Sequence, residues 1–107
     1  MISRQWRGVA KDQEAANYIR DLEGETFPQL ARLAGFRSAT ILRRPVPSGI
    51  EFLIVTTWES IDAIRQFAGE SVDQAVVPDR VRAMMVEYDT TVTHYEIASE
   101  FPARRHT

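Results

Sequence analysis

Two histidines set the limit on the acid–base chemistry this chain can do near neutral pH. His94 stands in TVTHYEIA, residues 91–98, a run that alternates as a strand does. On a strand it shares a face with Glu96, which can orient its ring across the pleat. His94 is therefore either a general base or a structural histidine bonded to a neighbouring strand or to a second copy of the chain. Arg4 and Trp6 share a face of a predicted first strand, residues 2–10. Arg4 is either a clamp for an anionic or enolate oxygen, where fixed positive charge stabilises developing negative charge, or half of a satisfied ion pair within reach of Glu96 or His94. Trp6 and Trp58 offer flat apolar walls for an aromatic ligand and serve equally as core or interface anchors. Phe67, Met84 and Met85 fall at helical spacing, as core residues or as the lining of a cavity.

Other chemistries are excluded by what the chain lacks. With no cysteine there is no disulfide, thiolate nucleophile, iron–sulfur cluster or cysteine zinc site. His106 lies in a polar tail just after Arg104 and Arg105, so a two-histidine metal site would need that tail to fold back, and we expect no metal. The five glycines are scattered, without the clustering of a dinucleotide or phosphate loop, and no cofactor is expected. No G-x-S-x-G elbow is present. A net charge of −2 argues against nucleic acid as partner. No apolar run approaches the roughly 18 residues of a membrane span, and MISRQWRG carries no apolar signal region, so a cytoplasmic protein is expected.

The elements that must position these residues are readable by period. At 107 residues, 44% hydrophobic and 26% charged, the chain has the composition of one soluble domain, expected over 1–98 with a loose tail over 99–107. After the strand at 2–10, Asp12 can cap a helix whose face is Ala15, Ile19 and Leu22. Gly24 is expected to interrupt it, and Thr26 to cap a second piece that Gly35 stops. FRSATILRR (36–44) and IEFLIVTTW (50–58) read as a hairpin around PVPSG. Ser60 caps the next helix, striped by Ile61, Ile64, Phe67 and Ala68 and ended by Gly69. Val81, Met84, Met85 and Tyr88 predict a further short helix, before a last strand over 91–98. Strand, helix, strand, strand, helix, strand is the split βαβ pattern. It predicts an α+β, ferredoxin-like antiparallel four-stranded sheet with helices on one face.

The third strand predicts more. Ile50, Phe52, Ile54 and Trp58 point one way, while Leu53 and Val55 point the other. Helices can cover only one of these faces, and burial of each such side chain is worth about 1.5–3 kcal/mol. A second copy laid sheet to sheet would cover the other, so a homodimer is expected.

WESIDAIRQFAGE at 58–70, AVVP at 75–78 and YDTTVTHYEI at 88–97, with RQWRG at 4–8 and FPQLARLAGFRSATILRR at 27–44, resemble the antibiotic biosynthesis monooxygenase-like family of dimeric α+β barrel proteins. The resemblance spans roughly residues 2–98. It implies a homodimer whose two sheets form a barrel, with a pocket in each subunit between sheet and helices. Characterised relatives include cofactor-independent oxygenases acting on aromatic polyketides, and others degrade haem. Trp58 matches a tryptophan of the polyketide oxygenases, but Ile54 stands where they carry an asparagine. Ala75 and Val76 stand near the place of the haem degraders' histidine.

Two functions follow as expectations. One is a cofactor-independent monooxygenase for a small aromatic or polyketide-like substrate, with His94 as base, Arg4 as clamp, and Trp58, Trp6 and Phe67 as walls. The other is a non-enzymatic, dimeric small-molecule-binding or stress-related module of the same fold, favoured by the incomplete catalytic sets. Both take a small hydrophobic or aromatic molecule as partner.

Overall fold

β1 (Ile2–Ala10) is the centre of the sheet. In the computed structural model, which describes residues 1–102, it pairs antiparallel with β3 (Gly49–Trp58) on one side. On the other side it pairs with β4 (Met85–Tyr88) and then β5 (Thr93–Glu96). β2 (Phe36–Val46) joins β3 through a hairpin and forms the far edge. The order β2-β3-β1-β4, with β5 beside β4 on β1, is the ferredoxin-like α+β arrangement, its fourth strand broken in two. β2 outruns its predicted end: Pro45 pairs with Ile50 and Val46 with Gly49, which an edge strand tolerates because the missing N–H faces outward.

The helical run after β1 differs from expectation. A 3-10 turn (Asp12–Glu14) leads into α1 (Ala15–Asp21), a π turn (Leu22–Thr26) and α2 (Phe27–Leu30) without a break. Gly24 lies inside the π turn, and Thr26 has helical φ and caps nothing. The wider turn absorbs an extra residue, and Ala15, Tyr18, Leu22 and Leu30 all stay buried. α3 (Ile61–Ala68) starts as predicted, with Ser60 Oγ accepting from the Ala63 N–H at 3.1 Å. Gly35, at φ 86, admits the turn beneath α3, since a Cβ there would lie 2.6 Å from that of Ala63.

The predicted helix through Tyr88 is half helix and half strand. α4 covers only Asp79–Arg82, and Met85–Tyr88 extends along β1. Met85 pairs with Ala10, Glu87 with Val9 and Tyr88 with Gly8, so Val86 is the extra residue of a β-bulge. The bulge turns Met85 and Tyr88, three apart, to the same face. A spacing that reads as helical is thus met by an irregular strand, because β1 had a free edge to pair.

The chain between β4 and β5 leaves the sheet and holds a loop instead. Val92 N–H donates to the Asp73 carbonyl at 2.8 Å and Ala75 N–H to the Thr90 carbonyl at 2.9 Å. This seats residues 72–75 against the end of β1 that carries Arg4. The packed side chains form two clusters, both on the helix-covered face, and Leu42, Leu53 and Val55 belong to neither. Among the described residues no helix is long and apolar enough to cross a membrane. Of the tail expected over 99–107, residues 103–107, His106 included, lie outside the described residues.

Candidate functional site

The two buried clusters are separate but are bridged by half-buried Phe27. One gathers Tyr18, Leu22, Phe52, Ile54 and Val81, the other Leu30, Trp58, Ala63 and Ile64. Between them lies a cavity of about 240 Å³, just under the usual ~300–1,000 Å³ of small-molecule sites. Its floor is the strand pair Arg4–Thr56 and Trp6–Ile54. The run α1 to α2 and Phe67 of α3 form walls, and Val76, Val77 and Pro78 close another side. Exposed Glu25 and Gln29 mark the mouth, while Arg4 is only 5% exposed and lies deep.

Arg4 organises the floor. One Nη1 hydrogen goes to the Val72 carbonyl and the other to His94 Nε2 at 3.0 Å, while Nη2 donates to the Gln74 carbonyl at 3.0 Å. A guanidinium has five N–H donors, so two remain for a ligand. Burial pulls the Arg4 pKa below its ordinary value and the Asp73 carboxylate opposes that fall. An arginine so placed stays charged. Its Cζ also lies 5.8 Å from the centroid of the Phe67 ring, a cation–π contact that ties the charge to an aromatic wall.

The fold brings His94 and Arg4 together, because the β1–β5 register sets them opposite each other. The ring is oriented by Asp73 of the loop and not by Glu96 of its own strand: Nδ1 lies 3.1 Å from Asp73 Oδ1. Arg4 can only donate, so Nε2 must accept and the proton sits on Nδ1, where it donates to Asp73. Both ring nitrogens are engaged, and the ring is absent from the cavity lining. That leaves no lone pair facing a substrate, so in this geometry His94 holds Arg4 in place.

The aromatic residues separate into wall and support. Trp6 lines the cavity, pinned by its indole N–H to the Asp89 carbonyl at 2.8 Å. Its ring lies over Gly8, where a Cβ would come within 2.5 Å of Cη2, so glycine is required for this wall. Phe67 also lines the cavity. Trp58, expected as a wall, is fully buried behind it, stacked on Phe67 at 6.5 Å between centroids and set edge-on to Phe36 at 5.2 Å. The residue that reaches the floor from the end of β3 is Thr56.

Sequence reasoning passed over Thr56, Tyr18 and Glu25 as cavity residues. Thr56 reads as an ordinary strand former, and Tyr18 as a helix-face filler. Burial, with Asp21 nearby, pushes the Tyr18 pKa up, so its hydroxyl stays protonated. Glu25 reaches the lining because the π turn, which no periodicity announces, places Leu22, Glu25 and Thr26 together. Among the described residues no three His, Asp or Glu side chains converge as a metal cage would require.

No protein-family model matches this sequence, and no curated protein sequence matches it. Solved structures do resemble it. A candidate antibiotic biosynthesis monooxygenase from Bacillus cereus superposes with a TM-score of 0.69 at 17% identity, over 98% of each chain. SnoaB, a cofactor-independent oxygenase from Streptomyces nogalater, gives 0.65 at 16% identity, over 95% of this chain and 97% of its own. MhuD, a heme-degrader from Mycobacterium tuberculosis with two hemes bound in its active site, gives 0.60 at 15% identity, over 95% and 100%. One backbone thus serves proteins of different chemistry, and identities this low speak to backbone alone. The chain has the ferredoxin-like α+β fold of antibiotic biosynthesis monooxygenase-type proteins.

Proposed function

We propose that this protein is a cofactor-independent monooxygenase for a small phenolic or enolic aromatic molecule, working as a homodimer. The observation that carries the reading is a buried guanidinium with two free donors on the floor of an apolar, aromatic-walled cavity. Such a charge favours the ionised form of a bound phenol. The proton leaves toward the mouth, where Glu25 lines the wall. Trp6 and Phe67 flank the ring, and the electron-rich anion reduces dioxygen. A carbon–oxygen bond forms at a ring carbon bearing hydrogen, giving a hydroperoxide. Loss of water then leaves one oxygen atom in a quinone product and the other in water, with all the electrons taken from the substrate. SnoaB, of the same fold, is a cofactor-independent oxygenase, which supports the reaction class.

Oxygen uptake tests this. Incubation with naphthols and polyphenols should consume one dioxygen per quinone formed, followed by electrode and by visible absorbance, and anaerobic samples should stay unchanged. Binding without oxygen uptake would overturn the oxygenase reading. It would favour the binding module, a reading that the engaged nitrogens of His94 support.

The dimer is proposed from the open side of the sheet. Leu42, 49% exposed, pairs with Leu53, and Tyr95, 56% exposed, pairs with Ser3 on the same side. The exposed Leu42 and Tyr95 side chains, with half-buried Leu53 between them, fit a second copy laid face to face. Leu53→Glu should convert a two-chain particle to a single chain in sedimentation while leaving the circular dichroism spectrum unchanged. A wild-type protein that already sediments as one chain at micromolar concentration refutes the arrangement.

A further inference from the structure

Thr56 faces Arg4 across the β1–β3 ladder, and both line the cavity floor. Its side chain is the acceptor for the indole N–H of buried Trp58, Nε1 to Oγ1 at 2.9 Å. An indole N–H can only donate, so this bond occupies a lone pair of the hydroxyl and leaves the hydroxyl proton to point elsewhere. Among the described residues that proton has no acceptor. Side chains directly opposite in an antiparallel pair stand about 4.5–5.5 Å apart at Cβ. Both side chains line the same cavity floor, so a ligand atom seated there has the hydroxyl proton and the spare guanidinium hydrogens as its available donors.

We propose that Thr56 is the second donor of an oxyanion site shared with Arg4, and that Trp58 is the positioning residue that sets its direction. The ligand class is a molecule with a single anionic oxygen, such as a phenolate or enolate, held head-down on the floor with its ring between Trp6 and Phe67. The inference rests on the proposed function for its choice of ligand, but it concerns binding and not turnover. It also explains a polar residue on the otherwise apolar stripe of Phe52, Ile54 and Trp58: Thr56 is 7% exposed, yet its hydroxyl does not pair with the backbone. A buried hydroxyl costs stability unless it finds partners, and here one is the indole and the other is the ligand.

The ionisation of bound 4-nitrophenol, whose phenolate absorbs in the visible, reports on the site directly. With wild-type protein in excess, the midpoint should fall below that of the free phenol. Thr56→Val removes the hydroxyl at nearly constant shape and should raise the bound midpoint by about one pH unit, the size of one hydrogen bond to a charged oxygen. Thr56→Ser should restore it. Trp58→Phe keeps an aromatic ring and should shift the midpoint in the same direction, while the Thr56→Val, Trp58→Phe double variant should go no further than Thr56→Val alone. A purely structural role for Trp58 predicts additive shifts. Equal midpoints for wild type and Thr56→Val, additive shifts, or no fall in the wild-type midpoint overturns the proposal. A lowered midpoint without oxygen uptake would sink only the oxygenase reading.

Discussion

Arg4→Met is expected to lose both ligand and loop. The variant keeps an apolar stem but leaves the Val72 and Gln74 carbonyls and His94 Nε2 without their donor. Each orphaned buried group costs about 1–3 kcal/mol, less wherever water can reach it. A domain of this size has only about 5–15 kcal/mol in hand. A clear drop in the urea midpoint should therefore accompany a fall in turnover of about 10²–10³-fold, the usual effect of removing one donor to a developing oxyanion. Arg4→Lys separates the two losses. It retains a charge near the floor but not the planar fork that reaches three acceptors at once, so binding should recover more than stability. An Arg4→Met protein with an unchanged urea midpoint would mean that the loop at 72–75 does not depend on this side chain.

Trp58→Ala is expected to cost about 3–5 kcal/mol of folding stability, as large-to-small changes of a fully buried aromatic do. The indole supports Phe67 by stacking, meets Phe36 edge-on and donates to Thr56. Its removal opens a void continuous with the existing cavity and lets Phe67 drop away from Arg4. Chemical denaturation at constant temperature measures the loss. Trp58→Phe should recover most of it, because packing and not the N–H supplies the greater part. A Trp58→Ala variant within about 1 kcal/mol of wild type would contradict the placement of this ring behind Phe67.

Much of this architecture was legible because periodicity and punctuation agreed. Ser60 and Gly69 bracket α3, and alternation through 50–58 assigns Phe52, Ile54 and Trp58 to the covered face. The errors fall where a tertiary demand overrode a local pattern. Met85 and Tyr88 have helical spacing, but the free edge of β1 drew them into a bulged strand. Gly24 reads as a helix stop, but a π turn carries the helix past it. In the site, the pairing of Arg4 with His94 follows from strand order and could be anticipated. The other partners of Arg4 are loop carbonyls, and a carbonyl is invisible in a sequence because every residue has one. Asp73 was hidden for a related reason: nothing local says that residues 72–75 lie beside residues 90–92. Trp58 and Thr56 share a face, and which of them reaches the cavity depends on where α3 sits.

The bulge at Val86 and the gap between β4 and β5 bear on how copies of this chain can meet. A long, straight outer strand invites another chain to add its own strand and continue the ribbon. Here one rim is kinked and cut into two four-residue stretches. The opposite rim carries Pro45 next to its last residue, with exposed Arg37, Arg43 and Arg44 along it. Both borders thus resist lateral growth, by shape on one side and by proline and charge on the other. The proposed second copy is then left the broad flank, where two-fold contact would end with two chains and would not run on into a fibre.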